Sequence, residues 1–108
     1  NIISEGFAIR EVTPLPEEFA LHANYPNPFN PTTTFAYDLP RDSRVMIVIY
    51  DVMGREVVRL ADQEIAAGRH TVKWNAKNAN GTWIAPGVYF YQIQAEGFVR
   101  TRKMVLLK

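Results

Sequence analysis

The chain has 108 residues, no cysteine and a nearly balanced charge, with 12 lysines and arginines against 11 aspartates and glutamates. This length fits one domain of about 100–150 residues and is too short for a barrel-sized enzyme scaffold. Without cysteine the chain has no disulfide, thiolate nucleophile or cysteine-ligated metal. The near-zero charge argues against a nucleic-acid-binding domain, which usually carries a basic excess. No apolar run approaches the roughly 20 residues that a membrane helix needs.

The first part of the chain is predicted to be a lead-in. A short extended segment is expected at residues 6–12, but Pro14 and Pro16 lack the N–H that a regular strand ladder requires. We therefore expect residues 1–14 to be a linker or the end of a preceding region, and residues 15–108 to be the folded domain. Because the chain begins with Asn1 and shows no signal peptide, we expect it to be a fragment of a longer protein.

Three prolines then occur within seven residues, at positions 25–31. Each proline fixes its own φ and pushes the preceding residue toward extended backbone, so the segment is stiff. The asparagines are expected to bond their own backbone in Asx turns. We call residues 25–31 the plug segment and expect it to close one end of the fold, with Phe29 buried. Its residues are Tyr25, Pro26, Asn27, Pro28, Phe29, Asn30 and Pro31.

From residue 33 onward, apolar and polar side chains alternate with a period of two, which predicts half-buried strands. Strands are expected at 33–39, 45–49, 55–60, 70–74, 88–94 and 98–107, with a turn at 50–54 and loops at 62–68 and 75–81. Gly54 and Gly87 lie in predicted turns, and Gly54 is free to take a positive φ. Trp74 and Tyr89 fall on inward-facing rows. The pattern predicts an all-β, immunoglobulin- or fibronectin-like antiparallel β-sandwich of about seven strands, although a small barrel also suits it.

Few residues are available for catalysis, and none forms a recognised constellation. His70 lies on a predicted strand without a partner at metal-ligand spacing, so we expect it at the sandwich rim with one ring nitrogen bonded. The carboxylates are scattered over turns and strand ends, and no cleft is expected in which two of them would face each other. The sequence therefore predicts no catalytic residue, no cofactor, no metal, no small-molecule substrate and no nucleic-acid partner.

Three other features bear on binding rather than on catalysis. The loop at 75–81 faintly resembles a calcium loop, but it has no carboxylate and fits Asn/Gly turn chemistry better. Trp83 is the aromatic residue expected to be exposed, and an exposed ring is able to stack on a sugar. The last strand carries four basic residues, which either keep an exposed edge from pairing or form an address for a receptor. These candidate recognition residues are Arg100, Arg102, Lys103 and Lys108.

Six segments together resemble a known family. They are 21–31 (LHANYPNPFNP), 33–40 (TTFAYDLP), 45–57 (VMIVIYDVMGREV), 67–74 (AGRHTVKW), 86–91 (PGVYFY) and 103–108 (KMVLLK). In this order they resemble the C-terminal sorting domain, type A, of cargo proteins of the type IX (Por) secretion system. The chain is also similar to the immunoglobulin-like domain of the flagellar hook-capping protein, a resemblance that fits the predicted sandwich.

The resemblance implies a non-enzymatic domain that directs a parent protein, joined at its N-terminal side, across the outer membrane of a Bacteroidetes-like bacterium. It further implies the type IX machinery and a surface sortase as partners, and a secreted or cell-surface location reached through the periplasm. The parent itself is a hydrolase, peptidase or adhesin in this family. An accessory module that binds carbohydrate, or a structural spacer, is the alternative. Relatives often carry aspartates in the 75–81 loop, which this chain lacks.

Overall fold

The computed structural model describes residues 14–108, which form seven strands in two antiparallel sheets and contain no helix. The strands are β1 (Ala20–Leu21), β2 (Thr33–Leu39), β3 (Ser43–Tyr50), β4 (Glu56–Ile65), β5 (Gly68–Trp74), β6 (Gly87–Ala95) and β7 (Phe98–Leu106). One sheet has the order β1-β2-β5 and the other β4-β3-β6-β7. The predicted immunoglobulin-like β-sandwich is confirmed. In the described part of the chain, no helix is long and apolar enough to cross a membrane. The extended segment expected at residues 6–12 lies outside the described residues.

The core lies between the two sheets and follows the predicted alternation. In β2 every second side chain is buried, from Thr33 to Leu39, and β6 shows the same pattern from Tyr89 to Ala95. Phe35 of β2 and Tyr91 of β6 meet across the core with ring centroids 4.6 Å apart. Each of these strands directs one row of buried side chains inward, and the two rows together define a single core, as expected for aligned sheets packed face to face.

The prediction of a loop at 62–68 is wrong, because β4 continues to Ile65 and leaves only residues 66–67 between strands. The extra residues pair with the start of β3, and Asp62 accepts a hydrogen bond of 2.8 Å from Arg44 and one of 3.0 Å from Arg59. Two register shifts in β3 also break the simple alternation along this pair. The polar run is therefore an exposed edge strand, which local sequence does not distinguish from a loop.

The plug segment inserts its one phenylalanine between the sheets, as predicted. Phe29 is 1% exposed, and its ring lies 5.9 Å from that of Trp74 at the end of β5. Its backbone bridges Leu106 in parallel fashion. In contrast, Tyr25 at the start of the segment is 81% exposed. The three X–Pro peptide bonds of the segment are cis.

A group of buried polar atoms fixes the approach to the plug segment. The Tyr91 hydroxyl donates to the His22 carbonyl at 2.8 Å and accepts from the Asn24 N–H at 2.9 Å. The Asn24 side-chain amide donates to the Pro26 carbonyl at 3.2 Å and to the Thr33 hydroxyl at 3.0 Å. These bonds hold the chain between β1 and the plug segment against β6, because buried polar groups left unpaired are costly.

We expect Phe29→Ala to lower the free energy of unfolding by about 3–5 kcal/mol, because it empties a fully buried aromatic site. Urea denaturation followed by tryptophan fluorescence measures the change. The matched control is Tyr25→Ala in the same segment, which should change stability by no more than about 0.5 kcal/mol because this ring is exposed. A loss below about 1 kcal/mol for Phe29→Ala would mean that the plug segment does not stabilise the core.

Stability should also fall at alkaline pH. Burial raises the pKa of Tyr91 above its ordinary value of 10.0, so the folded protein keeps a proton that the unfolded chain releases. The stabilisation is complete below pH 10 and is lost as the pH rises through the folded pKa. Tyr91→Phe should cost about 1–3 kcal/mol at neutral pH through the lost hydrogen bonds. It should also flatten the alkaline dependence of the unfolding free energy, and an unchanged dependence would contradict this assignment.

Candidate recognition surface on the C-terminal strand

β7 is an edge strand of the four-stranded sheet and forms the second arm of a hairpin that turns at Glu96-Gly97. Ala95 pairs with Phe98 across the turn, and Glu96 takes a left-handed φ of 50°. A two-residue turn with positive φ matches the twist of the strands that it joins. The edge of β7 that does not pair with β6 therefore faces away from the sheet.

The plug segment covers the C-terminal part of this edge through its backbone. The Phe29 N–H donates to the Val105 carbonyl at 3.0 Å, and the Leu107 N–H donates to the Phe29 carbonyl at 2.8 Å. These bonds extend the ladder by one residue in the parallel sense. The chain end is thus fastened at the position where an edge strand would otherwise fray.

The two asparagines of the plug segment bind the same edge with their side chains. The Asn27 carbonyl oxygen accepts from the Val105 N–H at 3.0 Å, and the Asn30 amide donates to the Lys108 carbonyl at 2.9 Å. The prediction that these asparagines bond their own backbone in Asx turns is wrong. Their partners are 78 residues away in the sequence, so no local pattern indicates them.

The four basic residues of the tail do not form one surface. Side chains of Arg100 and Arg102 point along the inward row that ends in buried Met104 and Leu106, whereas Lys103 points to the other face. The Arg102 Nε donates to the Leu21 carbonyl of β1 at 2.6 Å. Arg102 is exposed to solvent, as are the other basic residues, but its hydrogen bond to β1 also ties the two sheets together.

All four basic side chains are exposed. The Arg100 guanidinium lies 5.2 Å from the centroid of the Phe98 ring, and Lys108 contributes its backbone carbonyl to Asn30. Among the apolar residues at the end of the chain, Met104 and Leu106 are buried, whereas Leu107 is exposed and does not anchor the strand in the core. Period-two alternation explains this outcome, since consecutive residues cannot all face the core.

A second candidate site lies at the end of the sandwich beside Trp83. This ring is 58% exposed and borders an open depression of about 470 Å³ whose wall includes Asp51 and Glu56. The Lys77 ammonium lies 4.6 Å from the centroid of the Trp83 ring and covers part of it.

The polar groups of the depression are largely committed to its own loops. Asp51 accepts bonds from the Met53 N–H and the Arg55 N–H, both at 2.9 Å, and the Arg55 backbone bond is the main cause that lowers the pKa of Asp51. Asn78 accepts from the backbone of Asn80 and Thr82. This is the predicted Asn/Gly turn chemistry. Within residues 14–108, no three His, Asp or Glu side chains lie close enough together to hold a metal.

The other residues selected from the sequence support the fold. Gly54 takes a φ of 81° in the turn between β3 and β4, which favours glycine, and Gly87 takes a φ of 147° at the start of β6. Trp74 and Tyr89 are buried and donate to the carbonyls of Lys77 and Ala85. His70 lies at the rim as predicted, with its Nε2 2.7 Å from the Ala66 carbonyl.

Sequence reasoning overlooked two residues that position the plug segment, Asn24 and Tyr91. Asn24 is buried, and its side-chain oxygen has no hydrogen-bond partner within the described part of the chain. A polar residue directly before the Tyr25-Pro26 pair is the one local signal by which Asn24 could have been found. No local pattern indicates the bonding role of Tyr91, because the partners of its hydroxyl are remote in sequence.

Comparison with known families decides the assignment. The sequence profile of the FlgD Ig-like domain matches residues 27–97, which span β2 to β6 and residues 27–31 of the plug segment. The chain belongs to the FlgD Ig-like domain family. A crystal structure of FlgD from P. aeruginosa has 28% sequence identity and a TM-score of 0.54, with 69% of this chain and 60% of that chain covered. A search of curated protein sequences found no significant match.

Two further structures share the fold of this FlgD Ig-like domain. Dimeric latent PorU from Porphyromonas gingivalis has 23% identity and a TM-score of 0.62, and the match covers 79% of this chain but 9% of PorU. PorZ from the same organism, described as an essential bacterial surface component of the type IX secretion system, has 22% identity and a TM-score of 0.56, with 85% and 12% covered. The chain thus spans only a small part of PorU and PorZ and less than two thirds of FlgD.

We expect substitutions of two basic residues of β7, Arg102 and Lys103, to differ in their effect on the free energy of unfolding. Arg102→Gln should lower the free energy of unfolding by about 1.5–3 kcal/mol, because a charge-assisted hydrogen bond to β1 is lost. Lys103→Gln, on the neighbouring exposed position, should stay within about 0.5 kcal/mol. Denaturation in parallel under one set of conditions measures both. Equal effects of the two substitutions would mean that Arg102 does not join the sheets.

Proposed function

We propose that residues 15–108 are a non-enzymatic C-terminal sorting domain that directs its parent protein across the outer membrane by the type IX secretion system. In this proposal the partners are the export machinery, a surface sortase and the parent protein on the N-terminal side. The destination is the cell surface or the medium. The six sequence segments that resemble type IX sorting domains support the proposal, as does the likeness of the fold to domains in PorU and PorZ.

The single observation that carries the proposal is the contact between the two most distinctive segments. The plug segment binds the last residues of the chain through Asn27, Phe29 and Asn30. The result is a rigid tail whose basic side chains, Lys103 and Lys108, remain exposed. A pre-ordered tail loses little conformational entropy when a receptor binds it, and this is an advantage for a signal that must be read on many different parent proteins.

The test is export of a reporter fused to the N-terminal side of this chain in a host with an active type IX system. The variant Arg100→Gln, Lys103→Gln, Lys108→Gln should reduce surface export because it removes three of the four exposed positive charges of the tail. These substitutions leave Arg102 and the buried residues in place, so folding should change by less than about 0.5 kcal/mol at each position. Surface protease accessibility and secreted reporter activity measure the effect.

The matched control for export is Lys73→Gln, an exposed lysine on β5 in the other sheet. This variant should be exported as well as the original chain. Unchanged export of the tail variant would mean that the charges of β7 are not the signal. Failure of the original fusion to reach the surface would overturn the sorting function itself.

A carbohydrate-binding accessory module is the second candidate function. It is favoured by one observation, the exposed Trp83 beside the open depression at the end of the sandwich. An exposed indole ring provides the flat apolar surface on which a sugar ring stacks, with polar groups at its edge. The internal bonding of Asp51 and Asn78 weighs against it, because few polar groups remain to orient a sugar.

A pull-down on insoluble polysaccharides separates the two functions. The sorting domain should stay in the supernatant, and Trp83→Ala should behave in the same way as the original chain. Retention on a polysaccharide that is abolished by Trp83→Ala would favour the accessory module. The matched control is Leu107→Ala, which changes an exposed apolar residue outside the depression and should not affect retention.

A further inference from the structure

The outer edge of β7 has two parts with different surroundings. In an antiparallel ladder, successive residues direct their N–H and C=O groups alternately toward one neighbour and toward the other. The N–H groups of Val105 and Leu107 point away from β6, toward the plug segment. By the same alternation, the backbone groups of Val99, Thr101 and Lys103 also point away from β6.

The second part of the edge has almost no partner among residues 14–108. No backbone group of the described chain bonds the outward N–H and C=O groups of Val99 or Thr101, and the Lys103 carbonyl has only a long contact of 3.5 Å with the Asn27 amide. The Val99 side chain is 55% exposed. We call residues 99–103 the open edge. Such an edge is able to pair with an extended segment as one more strand.

The charge of the open edge selects its occupant. Arg100 is exposed on one face and Lys103 on the other, and no acidic residue follows Glu96 in the chain. Two copies of this chain that paired through their open edges would bring like charges together, which is destabilising. An extended segment with glutamate or aspartate opposite these residues would form favourable cross-strand pairs instead. Acidic strands from another protein are therefore the complementary occupants.

We propose that the open edge binds an extended acidic segment of a partner protein by β-strand addition. The backbone groups of residues 99–103 supply the hydrogen bonds, and Arg100 and Lys103 select acidic side chains. The plug segment limits the site, because beyond Lys103 the edge is already paired. That this partner is a component of the export machinery rests on the proposed function, whereas the binding itself does not.

The direct test is binding of a short synthetic valine peptide that carries two glutamates three positions apart, the same spacing as Arg100 and Lys103, to the purified chain, measured by fluorescence polarisation. The matching peptide of valine and lysine is the charge control. We expect binding of the glutamate peptide only, with an affinity that falls as salt increases. No detectable binding of the glutamate peptide, or equal binding of both peptides, would overturn the proposal.

Substitution of one outward amide tests strand addition itself. Thr101→Pro removes an N–H that the fold does not use and should weaken peptide binding by about tenfold or more, because one backbone hydrogen bond and the close approach of the strand are lost. Thr101→Val keeps the N–H and the β-branched shape and should bind like the original chain. Equal loss in both variants, or in neither, would overturn the assignment of the site to the open edge.

Amide hydrogen exchange of the original chain makes the test independent of whether Thr101→Pro folds. The amides of Val99, Thr101 and Lys103 should exchange fast in the free chain and become protected with the glutamate peptide. Those of Arg100 and Arg102, which face β6, should be protected in both states. Protection of Val99 and Thr101 in the free chain would mean that the edge is already covered, which would overturn the proposal.

The export fusion distinguishes this inference from the proposed function. If the original fusion is exported and a folded Thr101→Pro fusion is exported equally well, the machinery does not bind the open edge, and the sorting function stands without it. If the original fusion is not exported but the peptide still binds and protects the outward amides, the sorting function fails while the strand-addition site remains. A drop in export for Thr101→Pro, with Thr101→Val unaffected, supports both.

Discussion

The fold depends on one residue that joins the end of the core to the end of the chain. Phe29 fills the gap between the sheets against Trp74, and its backbone N–H and C=O extend the ladder of β7. Apolar burial and edge pairing therefore come from the same position, and the loss of one weakens the other. An edge strand at a chain terminus is otherwise prone to fraying, because only one neighbour holds it. The plug segment supplies the second neighbour over the last residues.

The parts of the fold that can be predicted from the sequence are the strands whose own residues alternate between apolar and polar side chains. β2 and β6 each bury alternate side chains, so the period-two pattern identifies the strand and its inward face together. β4 is the opposite case. Its polar residues face solvent on the edge of a sheet, and its extent is set by pairing with β3 and not by its own sequence pattern. Two register shifts in the pairing of β3 with β4 disrupt the remaining alternation of buried and exposed side chains.

The basic residues of β7 show even more clearly why a local sequence pattern does not predict the surface that it forms. A cluster of basic residues in sequence predicts a basic surface, but a strand sends neighbouring side chains to opposite faces. Arg102 and Lys103 are adjacent in sequence, yet one bonds the Leu21 carbonyl and the other is exposed on the far face. The partner of Arg102 is 81 residues away, as remote as the partners of the plug asparagines. Contacts of such separation depend on the assembled sandwich and leave no local pattern.

β7 combines a paired half and an open half within one strand, and its charges explain why this is tolerated. A long unpaired apolar edge invites aggregation, whereas exposed positive side chains oppose pairing between identical copies. Arg100 and Lys103 lie at the open part, while the part paired with the plug segment is anchored by buried Met104 and Leu106. The same charges that keep two copies apart attract a strand of opposite charge. Protection against self-association and selection of a partner are therefore one electrostatic property of this edge.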